Sequence, residues 1–181
     1  AANDRRLAWL TREIAAIPHI RRLRVHTRLP VVIPQRVTPA LLDALCGTRL
    51  PVTMVLHCNH ANEIDRHLGA AVQRLRAAGM TLLNQAVLLS GVNDQLEQQL
   101  ALSEALGDQG VLPYYLHVLD HVKGAGHFHV EDQQAQLLVG QMLSRLPGFL
   151  VPRLVREIAG KAGKSPLPVE LVDIAPCRSV D

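Results

Sequence analysis

Lys164 stands at the end of the run Gly148-Phe149-Leu150-Val151-Pro152-Arg153-Leu154-Val155-Arg156-Glu157-Ile158-Ala159-Gly160-Lys161-Ala162-Gly163-Lys164-Ser165-Pro166. An apolar strand there delivers a lysine into a small-residue loop that a proline closes. Glycines at 160 and 163 would let the backbone approach a bulky planar or phosphorylated ligand closely. A lysine in such a place can lose its proton by desolvation and form an imine with an aldehyde. The same run also reads as a solvated basic loop, with Lys161 and Lys164 as ordinary surface charge, and spacing does not separate the two. Further polar groups fall at strand ends: His57 with Asn59 and His60, Gln85, and Asp120. A strand that is otherwise apolar must find a buried partner for His57 or Gln85. Either side chain could equally tie a strand end to a neighbouring loop. His60 and Asn62, in Asn-His-Ala-Asn-Glu, suit a cap-and-turn device as readily as a ligand contact.

The elements that must position these groups alternate along the chain. Leu7, Leu10, Ile14 and Ile17 form a helical stripe that Pro18 stops. Residues 22–26 read as a strand. Thr38-Pro39 starts a helix that Gly47 ends, and 52–56 is a buried strand. Asn62 or Asp65 opens an amphipathic helix closed by Gly79. Residues 82–89 form the next strand, and Gly91-Val92-Asn93-Asp94 opens a helix reaching Gly107. Strands at 111–118 and 150–158 flank a helix at 130–146. Five strands separated by helices imply parallel pairing with right-handed crossovers, in an incomplete α/β barrel or an open α/β sheet. In such barrels chemistry gathers at the carboxyl ends of the strands.

Composition narrows the function classes. The 181 residues can bury a real core, and 48% of them are apolar without any stretch approaching a membrane span. No signal peptide is visible behind the opening Ala-Ala-Asn-Asp-Arg-Arg. Cys46, Cys58 and Cys177 are scattered, which suits a reducing cytoplasm better than a disulfide framework. A diffuse net charge of +3 and five dispersed aromatics do not make a nucleic-acid surface. A homo-oligomer is compatible with the sequence but is not read from it.

The lysine run resembles the pyridoxal-phosphate segment of the lysine 2,3-aminomutases, where a valine-proline strand and a Gly-rich loop end in Lys-Thr-Pro or Lys-Ser-Pro. Four further blocks are similar to the same family, in family order: residues 26–36, His57 to Glu63, Leu83 to Leu89 with Gly91 to Asp94, and Pro113-Tyr114-Tyr115. Together the blocks cover roughly residues 20 to 167. Leu116 to Asp120, followed by Gly124-Ala125-Gly126-His127-Phe128, looks most like the branch that makes (R)-β-lysine for elongation factor P. A chain end soon after the lysine, without a cysteine-bearing tail, fits that branch.

The resemblance implies an α/β fold, the second half of a partial (β/α)6 radical S-adenosylmethionine barrel. It implies a barrel portion at 1–147 and a lysine-bearing extension at 148–181. Lys164 would carry pyridoxal phosphate as an imine. His57 and Gln85 would line the S-adenosylmethionine site. Asp120 and Glu157 would hold the distal ammonium of L-lysine, Glu157 reaching one methylene further than the family's aspartate. The family's [4Fe–4S] cluster needs Cys-x3-Cys-x2-Cys, and the three cysteines here include no close pair, so no metal ligand is assigned. The chain is therefore expected to be the C-terminal half of a longer isomerase, inactive without the half that binds the cluster. Its product would pass to elongation factor P through a separate ligase. A catabolic aminomutase shares these motifs, and a non-catalytic truncated half-barrel is the reading from a different class. A Schiff-base aldolase normally carries its lysine on a barrel strand instead.

Overall fold

Branched and apolar runs between helix signals become strands in the computed structural model, which describes residues 3–120 and 123–171. The strands are β1 (Leu23–His26), β2 (Val52–His57), β3 (Thr81–Val87), β4 (Leu112–His117), β5 (Arg153–Arg156) and β6 (Ser165–Pro166). They form one sheet in the order β1-β2-β3-β4-β5-β6. The first five pair in parallel, as expected from their helical connections. The helices are α1 (Asp4–Ala16), α2 (Leu29–Val32), α3 (Pro39–Cys46), α4 (Arg66–Ala77), α5 (Leu96–Asp108) and α6 (Asp132–Leu143).

Helix ends follow local chemistry. Asn3 caps α1 by accepting from the Arg6 amide, and Arg49 donates to the carbonyls of Ala15, Ile17 and Ile20 at its far end. Thr38 caps α3 with Pro39 at the first helical position. Asp65, rather than Asn62, caps α4 by accepting from the His67 and Leu68 amides. Helix α5 begins later than its sequence signal. The Asn93 side chain ties the turn before it together, and Gln95 and Gln98 form the opening box.

One face of the sheet builds the core. Met54, Leu56, Leu82, Ala86, Leu116 and Leu154 are buried against Leu68, Val72, Leu75, Leu102, Leu106, Leu138 and Met142 of the helices. Thr11 of α1 donates to the carbonyl of Ala44 at 2.6 Å, joining α1 to α3. On β3, Leu82, Asn84 and Ala86 are buried while Leu83, Gln85 and Val87 are half-buried. Parallel sheets ordinarily cover both faces and read as apolar runs. This alternation leaves the second face for the polar groups.

The structure adds one strand and corrects two bounds. β6, not expected from the sequence, runs antiparallel to β5, with Val155 opposite Pro166 and Arg156 opposite Ser165. Gly160, at φ +79°, takes the left-handed conformation that lets the chain reverse there. Proline is tolerated in β6 because the strand is at the sheet edge. The last long strand is shorter than expected, since residues 148–150 form a 3-10 turn before β5. The helix expected at 130–146 is confined to α6, with the Arg156 guanidinium donating to Asp132 in its first turn.

Candidate functional site

The carboxyl-terminal parts of β2 to β4, with the facing residues of β5, place their side chains in two rows on the second face. Register sets His57 beside Gln85, Gln85 beside Tyr115, and Tyr115 beside Arg153. The next row holds Val87, His117 and Val155. A register shift skips Tyr114 between Asn84 and Gln85, so Tyr115 and not Tyr114 aligns with Gln85. Such a bulge re-aims every side chain beyond it.

His57 Nε2 and Gln85 Oε1 are buried without a hydrogen-bond partner. The partners expected for these two atoms are therefore not supplied by the described residues. An unpaired buried polar atom costs roughly 1–3 kcal/mol, so two side by side in one row are not a packing detail. Burial chiefly pushes the His57 pKa down, with the Arg28 charge adding to it and Glu63 and Asn59 opposing. His26, one level lower on β1, is also held down, first by burial and then by Arg24, with Gln85 opposing.

The turn after β2 is fixed from beneath. The Asn84 side chain bonds both the amide and the carbonyl of Cys58, at 2.9 Å each. Asn59 accepts from the Val87 amide, and Asn93 donates to the carbonyls of Asn59 and Val87. Glu63 accepts from the amides of Asn59 and His60 and pairs with Arg28 at 2.8 Å. His60 and Glu63 form a capping box over the 3-10 turn at 61–63, so the Asn-His-Ala-Asn-Glu segment takes its cap-and-turn reading. The Cys58 thiol is buried and pushed up to about 12, chiefly by desolvation, which makes it inert.

Lys164 reaches the same end of the sheet. Its Nζ donates to Glu157 Oε1 at 2.5 Å and lies 2.9 Å from His117 Nε2. It also sits 5.2 Å from the centre of the Tyr115 ring, within cation–π range. Burial lowers the His117 pKa first and the Lys164 charge second, while Glu157 and Asp120 oppose. A neutral imidazole can accept the Lys164 N–H at Nε2, leaving its own proton on Nδ1. The Glu157 carboxyl is held below its ordinary range by its hydrogen bond and ion pair with Lys164. Asp120 follows β4, exposed, close enough for its charge to act on His117. Lys161 is exposed and lines, with Glu157, Ile158, Ala162, Gly163 and Lys164, an open hollow of about 270 Å³.

The structure thus joins Lys164 to Glu157, pairs His57 with Gln85, and sets Asp120 at the edge of the Lys164 group. His117 and Tyr115 had no role assigned from sequence. Their signal was the two-residue spacing on one strand, which puts them on one face. Among the described residues no group of three His, Cys, Asp or Glu side chains could hold a metal. Cys46 and Cys58 are free, and Cys177 lies outside the described residues. The donor set does not fit an iron–sulfur cluster. It does fit an aldehyde cofactor at Lys164 and a polar ligand over His57 and Gln85.

Fold and site define a helix-backed, mostly parallel α/β sheet that presents a half-buried lysine among polar strand ends. No family model matches the chain. It is 50% identical over 170 residues to the L-lysine 2,3-aminomutase of Escherichia coli K12, covering 94% of this chain and 50% of that protein. It is 51% identical over 164 residues to the L-lysine 2,3-aminomutase of Haemophilus influenzae, covering 91% and 48%. The protein of the same name from Buchnera aphidicola is 48% identical over 163 residues, covering 90% and 48%. The chain belongs to the lysine 2,3-aminomutase family and spans about half the length of the curated relatives it matches.

Proposed function

We propose that this chain is the C-terminal, lysine-bearing half of a radical S-adenosylmethionine enzyme that isomerises L-lysine to (R)-β-lysine. Its five parallel strands would form the second half of a partial (β/α)6 barrel, with the polar face turned inward. The observation that carries the reading is Lys164, held at the carboxyl ends of β4 and β5 by Glu157 and His117 over Tyr115. A merely solvated basic loop would leave that lysine free, as Lys161 is exposed.

Pyridoxal phosphate, when bound, supplies an aldehyde for the lysine and a π-system that spreads an unpaired electron during nitrogen migration. The residues of this chain do the positioning. Lys164 Nζ is the attachment point, and His117 Nε2 accepts its hydrogen bond. Asp120 and Glu157 offer carboxylates to the distal ammonium of the substrate, each charge-assisted bond contributing about 1.5–3 kcal/mol. That charge would distinguish lysine from a neutral isostere. His57 Nε2 and Gln85 Oε1 would give S-adenosylmethionine two buried polar atoms that have no partner among the described residues. Cluster ligands would come from residues outside this chain.

The product would serve elongation factor P through a separate ligase, a reading supported by Leu116 to Asp120 and Gly124 to Phe128. A cytoplasmic site suits the free, buried Cys58, and among the described residues no helix is long and apolar enough to cross a membrane. The test is turnover by the intact protein, anaerobic and supplied with cluster, S-adenosylmethionine and pyridoxal phosphate. β-Lysine should form, Lys164→Ala should abolish it, and this chain alone should form none. Turnover that survives Lys164→Ala would overturn the proposal.

A further inference from the structure

Glu157 has been given two ammonium partners: the substrate's, from the family resemblance, and that of Lys164, from the geometry. With a single negative charge between them and repulsion between like charges, the two ammonium groups compete for Glu157 rather than bind it independently. Lys164 Nζ has three N–H donors, and its contacts with Glu157 Oε1 at 2.5 Å and His117 Nε2 at 2.9 Å occupy two of them. The Lys164 side chain is 23% exposed and the Glu157 side chain 56%. The carboxylate can therefore be reached from solvent on the side away from Lys164. The hollow of about 270 Å³ beside it is wide enough for an alkylammonium chain.

We propose that Glu157 is a shared seat for one ammonium at a time, held by Lys164 until its aldehyde partner takes that lysine, then passed to the distal ammonium of the substrate. The inference rests on the reading of Lys164 as the cofactor lysine. When an amine condenses with an aldehyde, the nitrogen gives up two hydrogens and the aldehyde its oxygen, leaving as one water, and a C=N bond forms. A nitrogen so bound keeps at most one N–H, so it cannot go on donating to both Glu157 and His117 as the ammonium does. When that nitrogen is neutral, or turns its one N–H to His117, Glu157 loses its Lys164 donor. Lysine loading and ammonium binding become linked through a single carboxylate, and each favours the other by the same factor. Lys161 lines the same hollow and is a second cation positioned to take the seat.

The exchange can be read without the intact enzyme. n-Butylammonium stands for the distal end of lysine, and Lys164→Met for a lysine whose charge has been removed. The Glu157 carboxyl signal is followed by 13C NMR in glutamate-labelled chain and assigned by its loss in Glu157→Gln. In the parent, Glu157 should titrate below the ordinary carboxylate range and respond little to butylammonium. In Lys164→Met the titration should return towards that range, and butylammonium should shift the signal saturably, binding about fivefold tighter or more. Lys164→Arg restores a cation and should behave like the parent, which a purely structural role for Lys164 would not explain. Equal response in parent and Lys164→Met, or no response in Lys164→Met because Lys161 has moved in, overturns the exchange. Pyridoxal phosphate followed by borohydride and peptide mapping separates the two levels. A label away from Lys164 overturns the reading together with the exchange, whereas a label on Lys164 without a butylammonium response overturns the exchange alone.

Discussion

His57 and Gln85 stand side by side in register on β2 and β3, and each ends in a buried polar atom that no described residue bonds. A fold selected for stability alone would put apolar side chains in both places. His57→Leu and Gln85→Met should therefore leave stability unchanged or raise it by about 1 kcal/mol, while removing S-adenosylmethionine binding from the intact protein. Urea unfolding of the two variants checks the first half, and equilibrium binding the second. A loss of 2 kcal/mol or more, in the sense of roughly a buried-bond deletion, would make these residues structural.

Asn93 is the contrasting case. Its side chain is fully buried, accepts from the Leu89 amide and donates to the carbonyls of Asn59 and Val87. Asn93→Ala should strand three backbone groups and destabilise the chain by about 3 kcal/mol. Chemical denaturation measures it. A cost within about 0.5 kcal/mol, typical of a surface substitution, would show that the turn does not depend on this staple.

How much of this was legible in the sequence differs by residue. The β/α alternation was readable because branched runs and helix caps are local signals, and Thr38-Pro39 and Asp65 behaved as such. β6 was not, because a two-residue pairing depends on the reversal near Gly160 and on the neighbouring β5. Which tyrosine faces the site was also hidden, since the shift that skips Tyr114 is a property of the β3–β4 pair. His117 meets Lys164 across 47 residues of chain, a contact no spacing rule encodes. His57 and Gln85 were recognisable as polar intrusions on apolar strands. Their lack of partners could be seen only once both strands were paired.

The pH dependence of stability follows from three imidazoles. His26, His57 and His117 all have folded pKa values below the unfolded 6.5, burial being the first cause in each. The neutral ring is favoured in the folded state, so the stabilisation is complete above 6.5. It is lost as pH falls from there through the lowered folded values. Urea midpoints should therefore fall as pH is lowered past 6.5, and His57→Leu should flatten part of the slope. A midpoint that rises on acidification through this range would contradict the buried, neutral assignment.

Substrate recognition separates the two carboxylates. In the intact, reconstituted protein, Asp120→Asn should raise the KM for L-lysine by roughly tenfold or more, the loss of one charge-assisted bond, with cofactor loading unchanged. Glu157→Gln should act in the same direction but more weakly, because its arm is one methylene longer and its carboxylate is already paired with Lys164. Steady-state kinetics with pyridoxal phosphate occupancy measured alongside gives both numbers. Parent-like KM in both variants would put the substrate ammonium elsewhere.

The most direct test of the account is the identity of the lysine that takes the aldehyde. Pyridoxal phosphate, borohydride reduction and peptide mapping fix the cofactor covalently on whichever lysine held it. The account predicts the label on Lys164, which is gathered in by Glu157, His117 and Tyr115. It predicts none on exposed Lys161 or on Lys123, and an unchanged label in Lys161→Ala. A label on Lys161, or cofactor absorbance that persists in Lys164→Ala, would contradict it.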